Sequence, residues 1–146
     1  MAETTTGFSA DERAAMKQRA AELRADAKAA KGTAKKEADR QGVLDAIAAL
    51  HGTDRALAEK LHEIVTEVAP QLDHKTWYGF PAYGRDGKNV CFFKPSSKFK
   101  ARYATIGFND LAQLDDGGFW PVEYAIVEFT PDVEQRVREI VARAAG

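Results

Sequence analysis

Residues 77–83 read Trp77-Tyr78-Gly79-Phe80-Pro81-Ala82-Tyr83, and this stretch marks where the chain changes its structural period. Before Pro70 the apolar residues recur at helical spacing. From here on, β-branched and aromatic residues gather in short runs at about 74–83, 88–95, 101–109 and 122–129, which predicts four strands. Arg85-Asp86-Gly87 turns the first pair into a hairpin, and 109–121, with Asp115-Asp116-Gly117-Gly118, is a longer turn-rich loop, so the sheet is expected to be antiparallel. Pro81 cannot donate a ladder hydrogen bond, so the first strand is expected at an edge or with a bulge near Gly79 to Pro81. The run 122–129 carries apolar residues on both alternating faces, as a central covered strand would.

Toward the N-terminus, Ser9 and Glu12 form a capping box, which predicts a helix over about 10–30. Its stripe of Met16, Ala20, Leu23 and Ala27 is thin, so the helix should lie on the surface or against a partner. A second helix is expected over 34–50 with Val43, Leu44, Ile47 and Leu50 inward and Gly52 just past its end. Thr53 or Asp54 then caps a third, in which Leu57, Leu61, Ile64, Val65 and Val68 hold amphipathic spacing until Pro70. Thr130-Pro131 opens a last helix with Val133, Val137, Ile140 and Val141 on one face. Helices before the sheet and one after it, without βαβ alternation, give an α+β class: an antiparallel sheet of about four strands packed with N-terminal helices and one C-terminal helix. The division is a flexible 1–8, a helical extension over 9–32 and an α+β domain over 33–146.

The 146 residues fit one domain, with 45% hydrophobic and 29% charged residues and a formal net charge of -1. That balance gives no reason to expect nucleic acid or a membrane as partner. Cys91 is the only cysteine, which excludes an internal disulfide, and the polar Met1 to Gly7 lacks the apolar core of a signal peptide. A cytoplasmic location is expected. Charge is placed unevenly, however: between Arg102 and Arg136 there is no Lys or Arg, while Asp110, Asp115, Asp116, Glu123, Glu128, Asp132 and Glu134 form an acidic band.

The aromatics beside a kinked strand either wall a pocket or fill the core. Alternation places Trp77, Gly79, Pro81 and Tyr83 on one face and Tyr78 and Phe80 on the other. Lys94, Lys98, Lys100 and Arg102, interleaved with Phe92, Phe93, Phe99 and Tyr103, have the composition of a patch for single-stranded nucleic acid or an acidic ligand, but four charges are a small footprint and the global charge is not basic. The same patch suits the acidic band of a second copy, which makes a homodimer one reading. The candidate ligand-binding set is therefore Trp77, Tyr78, Pro81, Tyr83, Lys94, Lys98, Lys100 and Arg102. Glu59, His62 and Glu63 stand at i, i+3 and i+4 on the third helix, off its apolar stripe, a geometry that could hold a metal loosely but that reads first as solvent-exposed, and Thr66 stands where a zincin motif needs its second histidine. A hairpin centred near Asp86 places Cys91 opposite Pro81, roughly 23 Å from His74 at about 3.3 Å per residue. Neither a cysteine nucleophile nor a serine elbow emerges, and no enzymatic activity is expected.

Taken together, Trp77 to Tyr83, Gly84-Arg85-Asp86-Gly87 and Val90-Cys91-Phe92-Phe93 resemble the YdhG-like proteins, a family of unknown function in which some members are described as frataxin-like intracellular iron chaperones. The resemblance covers about 43–144. It implies labile Fe(II) binding, no tightly held cofactor, and delivery to an iron-acceptor protein. Hard oxygen donors suit that ion, and Asp115, Asp116 and Glu123 are the expected metal ligands. The alternative is a small-ligand or protein-docking module that uses the aromatic pocket and basic loop without metal.

Overall fold

The computed structural model describes residues 9–28 and 32–146. In chain order the elements are α1 (Ala10–Lys28), α2 (Thr33–Ala48), α3 (Gly52–Val68), β1 (Asp73–Trp77), β2 (Phe80–Arg85), β3 (Lys88–Lys94), a short 3-10 turn (Ser97–Phe99), β4 (Ala104–Phe108), β5 (Glu123–Ile126) and α4 (Pro131–Ala145). The strands form one antiparallel sheet in the order β1-β2-β3-β4-β5, an α+β fold with helices leading and closing it. Among the described residues no helix is long and apolar enough to cross a membrane.

Side-chain caps start α1 and α4 but neither α2 nor α3. The Ser9 amide donates to Glu12 Oε1 at 2.8 Å and the Glu12 amide to Ser9 Oγ at 3.1 Å, closing the capping box of α1. The predicted end of that helix at Ala30 lies outside the described residues. At α4 the Val133 amide donates to Thr130 Oγ1 at 3.2 Å, with Pro131 in the first turn. The start of α3 differs from expectation. Neither Thr53 nor Asp54 caps it, and Gly52, at φ 57°, opens this helix instead of closing α2. Asp54 is drawn away by the loop after β3, where Ser96 and Ser97 each give it a backbone amide and a hydroxyl at 2.7–3.0 Å.

The predicted first strand is two strands. Tyr78 (φ 54°) and Gly79 (φ 81°) both occupy the left-handed region, and Trp77 pairs with Phe80 across this two-residue turn, the pattern of a type I′ hairpin. A tyrosine at that position is a weak turn signal, which is why the sequence reads through it. Pro81 consequently sits inside a second strand and not at an edge. The pair beside a two-residue hairpin turn is hydrogen-bonded and the next is not, so the missing amide at Thr76↔Pro81 faces away from β1. On that far side the β2–β3 ladder begins only at Ala82.

A bulge between Tyr83 and Gly84 then shifts the register, so Cys91 lies opposite Tyr83, two residues from the expected Pro81. A β-carbon at Gly84 would overlap the Lys88 carbonyl, and only glycine fits there.

α2, α3 and α4 cover one face of the sheet. Leu57, Leu61, Ile64 and Val65 of α3 are at most 4% exposed, each contributing about 1.5–3 kcal/mol of burial. Val43, Ile47, Leu72, Tyr83, Phe93, Ile106, Ile126 and Val141 complete this core. A smaller cluster, Phe80, Ala82 and Phe92 with Trp77, Tyr78 and Phe99, occupies separate ground. The strand expected at the centre, β5, is the far edge of the sheet, and its neighbours Val122 and Val127 are exposed. Apolar residues on both faces of 122–129 do not reflect burial on both faces.

Candidate functional site

The aromatic cluster forms because the Tyr78–Gly79 turn brings Trp77 and Phe80 side by side. Their ring centres are 5.7 Å apart, with Phe92 5.2 Å from Trp77 and Phe99 5.9 Å from Phe80. Each such pair adds roughly 0.5–1.5 kcal/mol beyond its buried area. Phe92 lies over its cross-strand partner Gly107, where a β-carbon would overlap the ring. The turn also undoes the alternation expected for one strand. Trp77 joins Tyr78 and Phe80, while Tyr83 belongs to the main core, so the expected ligand set is divided between two clusters.

α1 packs beside this cluster, against β1, the Tyr78–Gly79 turn and the 3-10 turn. Ala15 is its one fully buried apolar residue among those described, and Met16 and Leu23 stay exposed. The contact is mainly polar: the Gly79 amide donates to Glu22 Oε2 at 3.1 Å and Lys98 Nζ to Gln18 Oε1 at 2.6 Å. Burial pushes the Lys98 ammonium below its ordinary pKa against the pull of Glu22. At Gly79 a β-carbon would strike Gln18 and Lys98, and the positive φ disfavours any other residue.

The basic loop is likewise divided. Lys94 sits 5.2 Å over the Phe99 ring, at the rim of the cluster together with Lys98. Arg102 instead stacks 4.9 Å over Tyr103 and helps line a cleft of about 340 Å³ with Lys94, Thr105 and Glu123. Lys100 is exposed at φ 52° in the turn between them. The expected metal ligands are scattered as well: Asp115 and Asp116 are exposed in the loop before β5, whereas Glu123 lies among the cations of that second cleft. Among the described residues no three His, Cys, Asp or Glu side chains gather into a group that could hold a metal ion.

Sequence reasoning missed a polar cluster on the helix-covered side. Because β1 folds back beside β2, His74 pairs with Tyr83, which pairs with Cys91. His74 and Cys91 are thus two strand spacings apart, about 10 Å, and not the 23 Å expected along one strand. His62 of α3 is partly buried, and its Nδ1 lies 2.9 Å from the Tyr83 hydroxyl. The imidazole centres of His62 and His74 are 5.1 Å apart, and His74 meets the Tyr83 ring at the same separation. Burial lowers the His62 pKa and, with help from His62 and Arg40, brings His74 down to about 4. Both rings are neutral at pH 7.

Burial raises the Tyr83 phenol well above its usual pKa and pushes the Cys91 thiol up to about 12, so neither is ionised near neutrality. His74 opens on a cleft of about 440 Å³ that it shares with Lys36, Arg40, Asp73, Asp86 and Gly87. The only signal in sequence was the position of His62 directly beside Leu61 of the buried stripe.

Comparison of the chain with protein-family models, with curated proteins and with solved structures finds no match.

Proposed function

We propose that this chain is a non-enzymatic binding domain that docks an acidic helical segment of a partner protein on the surface made by Trp77, Tyr78, Phe80, Phe92 and Phe99, with Lys94 and Lys98 at its rim. The observation that carries this reading is the manner in which α1 occupies that surface. It satisfies the Gly79 amide with a carboxylate and Lys98 with an amide oxygen while burying little apolar area of its own. A surface with an aromatic floor and outward-facing donors suits an incoming acidic helix with larger apolar residues, because burial of apolar area scales with the size of the side chains supplied. A docking role also agrees with the resemblance to the YdhG-like proteins, for which an acceptor protein is implied. Labile Fe(II) delivery through Asp115, Asp116 and Glu123 draws no comparable support, since these three carboxylates are dispersed.

The test uses a chain beginning at Gly32, which keeps every member of the main core, with its fold verified by circular dichroism. Titration with a peptide of residues 10–28 should shift Trp77 fluorescence saturably. The shift should vanish in Trp77→Phe and weaken several-fold with a Glu22→Gln peptide. A folded chain that shows no shift at millimolar peptide overturns the docking assignment.

A further inference from the structure

On the other side of the molecule, the geometry points to a second site: His62 and His74 form a two-imidazole centre for a borderline divalent transition cation. The rings come from α3 and β1, and their centres stand 5.1 Å apart with planes at 78°. Metal–nitrogen bonds of about 2.0–2.1 Å at a tetrahedral angle place the centres of two imidazoles on one ion roughly 5 Å apart. The separation of the two ring centres therefore matches that of two imidazoles on a shared ion.

The surroundings of the two rings fit the same role. His62 Nδ1 is engaged by the Tyr83 hydroxyl at 2.9 Å, and Tyr83 is 0% exposed and fixed in the core. In the tautomer whose Nδ1–H donates to the hydroxyl oxygen, that bond holds the ring in place and leaves the Nε2 lone pair free for a metal, the arrangement by which a buried hydroxyl or carbonyl orients a ligating histidine. His74 is partly buried, with its ring edge-on to both His62 and Tyr83. His74 also lines the cleft of about 440 Å³, which gives an ion and its water a route in.

No third His, Cys, Asp or Glu joins the pair among the described residues, so water or a ligand's donor atom completes the coordination. Two nitrogen donors favour Co(II), Ni(II), Cu(II) and Zn(II) over Mg(II) and Ca(II). Arg40 lies in the same cleft and opposes the ion's charge, while Asp73 and Asp86 favour it. The site is separate from the aromatic surface and does not depend on the docking proposal.

The experiment is a titration of the full chain with Co(II), read by visible absorbance, and with Zn(II) and Mg(II) by calorimetry. One equivalent of Co(II) and of Zn(II) should bind saturably in the micromolar range, with no response to Mg(II). His62→Gln and His74→Gln should each weaken binding at least tenfold, and Tyr83→Phe about tenfold, as loss of an orienting partner does. Arg40→Gln should tighten it. Because a variant in the core can lose its fold, the wild-type chain supplies a second readout: Ni(II) should broaden the imidazole resonances of His62 and His74 before those of the exposed His51. Broadening of His51 alone, affinity unchanged by both histidine substitutions in folded variants, or no Co(II) binding at millimolar metal each overturns the assignment.

Discussion

Replacing Asp54 by alanine removes a carboxylate that is 5% exposed and accepts from both the amide and the hydroxyl of Ser96 and of Ser97. Hydrogen bonds to a charged group are each worth about 1.5–3 kcal/mol, but here four share one carboxylate and its desolvation offsets part of the gain. The net loss should be about 3 kcal/mol, which for a domain of this size lowers the melting temperature by roughly 6–12 °C. Burial pushes the Asp54 pKa up, yet the four bonds from Ser97 and Ser96 outweigh it and hold the group below its ordinary value. A depressed carboxyl stabilises the fold above its unfolded pKa, and that contribution disappears as pH falls through the folded one. Urea denaturation at pH 7 should thus separate wild type from Asp54→Ala, and acidification below about pH 4 should close the gap. The same loop carries Lys98 and Phe99, so the variant should also weaken docking on the aromatic surface. A loss under about 1 kcal/mol at pH 7, or a gap that stays constant into acid, would refute the reasoning.

Gly79→Ala places a β-carbon against Gln18 and Lys98 at φ 81°, and the left-handed backbone alone costs about 1–2 kcal/mol; hydrogen exchange should show α1 amides released while the main core stays protected. Cys91, fully buried with its thiol at about 12, should resist thiol reagents in the native chain and react stoichiometrically in urea, as mass spectrometry would record. Leu61→Ala empties a fully buried position under the sheet and should cost about 2–5 kcal/mol by chemical denaturation.

What the sequence revealed follows the reach of the forces involved. The capping box of Ser9 and Glu12, the Thr130-Pro131 start of α4 and the stripe of α3 are satisfied within a few residues, and the structure contains all three. Tyr78 was illegible because its left-handed backbone is held by the flanking pair Trp77↔Phe80, a cross-strand contact and not a local preference. β5 was misplaced because position within a sheet depends on which strand comes next, and none follows it. Of the candidate residues, Trp77 meets Phe92 only through the pairing of three strands. Asp54 finds its serines 42 and 43 positions away, and His62 finds Tyr83 across 21. Such contacts depend on the assembled sheet, which no local window contains.

The sheet order β1-β2-β3-β4-β5 has a kinetic meaning. Each strand is laid against its immediate predecessor, so no pairing waits for a distant segment to arrive and every loop to be closed is short except the one leading to β5. Two tight turns, Tyr78–Gly79 and Asp86–Gly87, are available to start the process independently. Low separation between pairing partners is the main correlate of rapid folding among small domains. The sheet should therefore zip from its first three strands outward, with β5 and α4 arriving last.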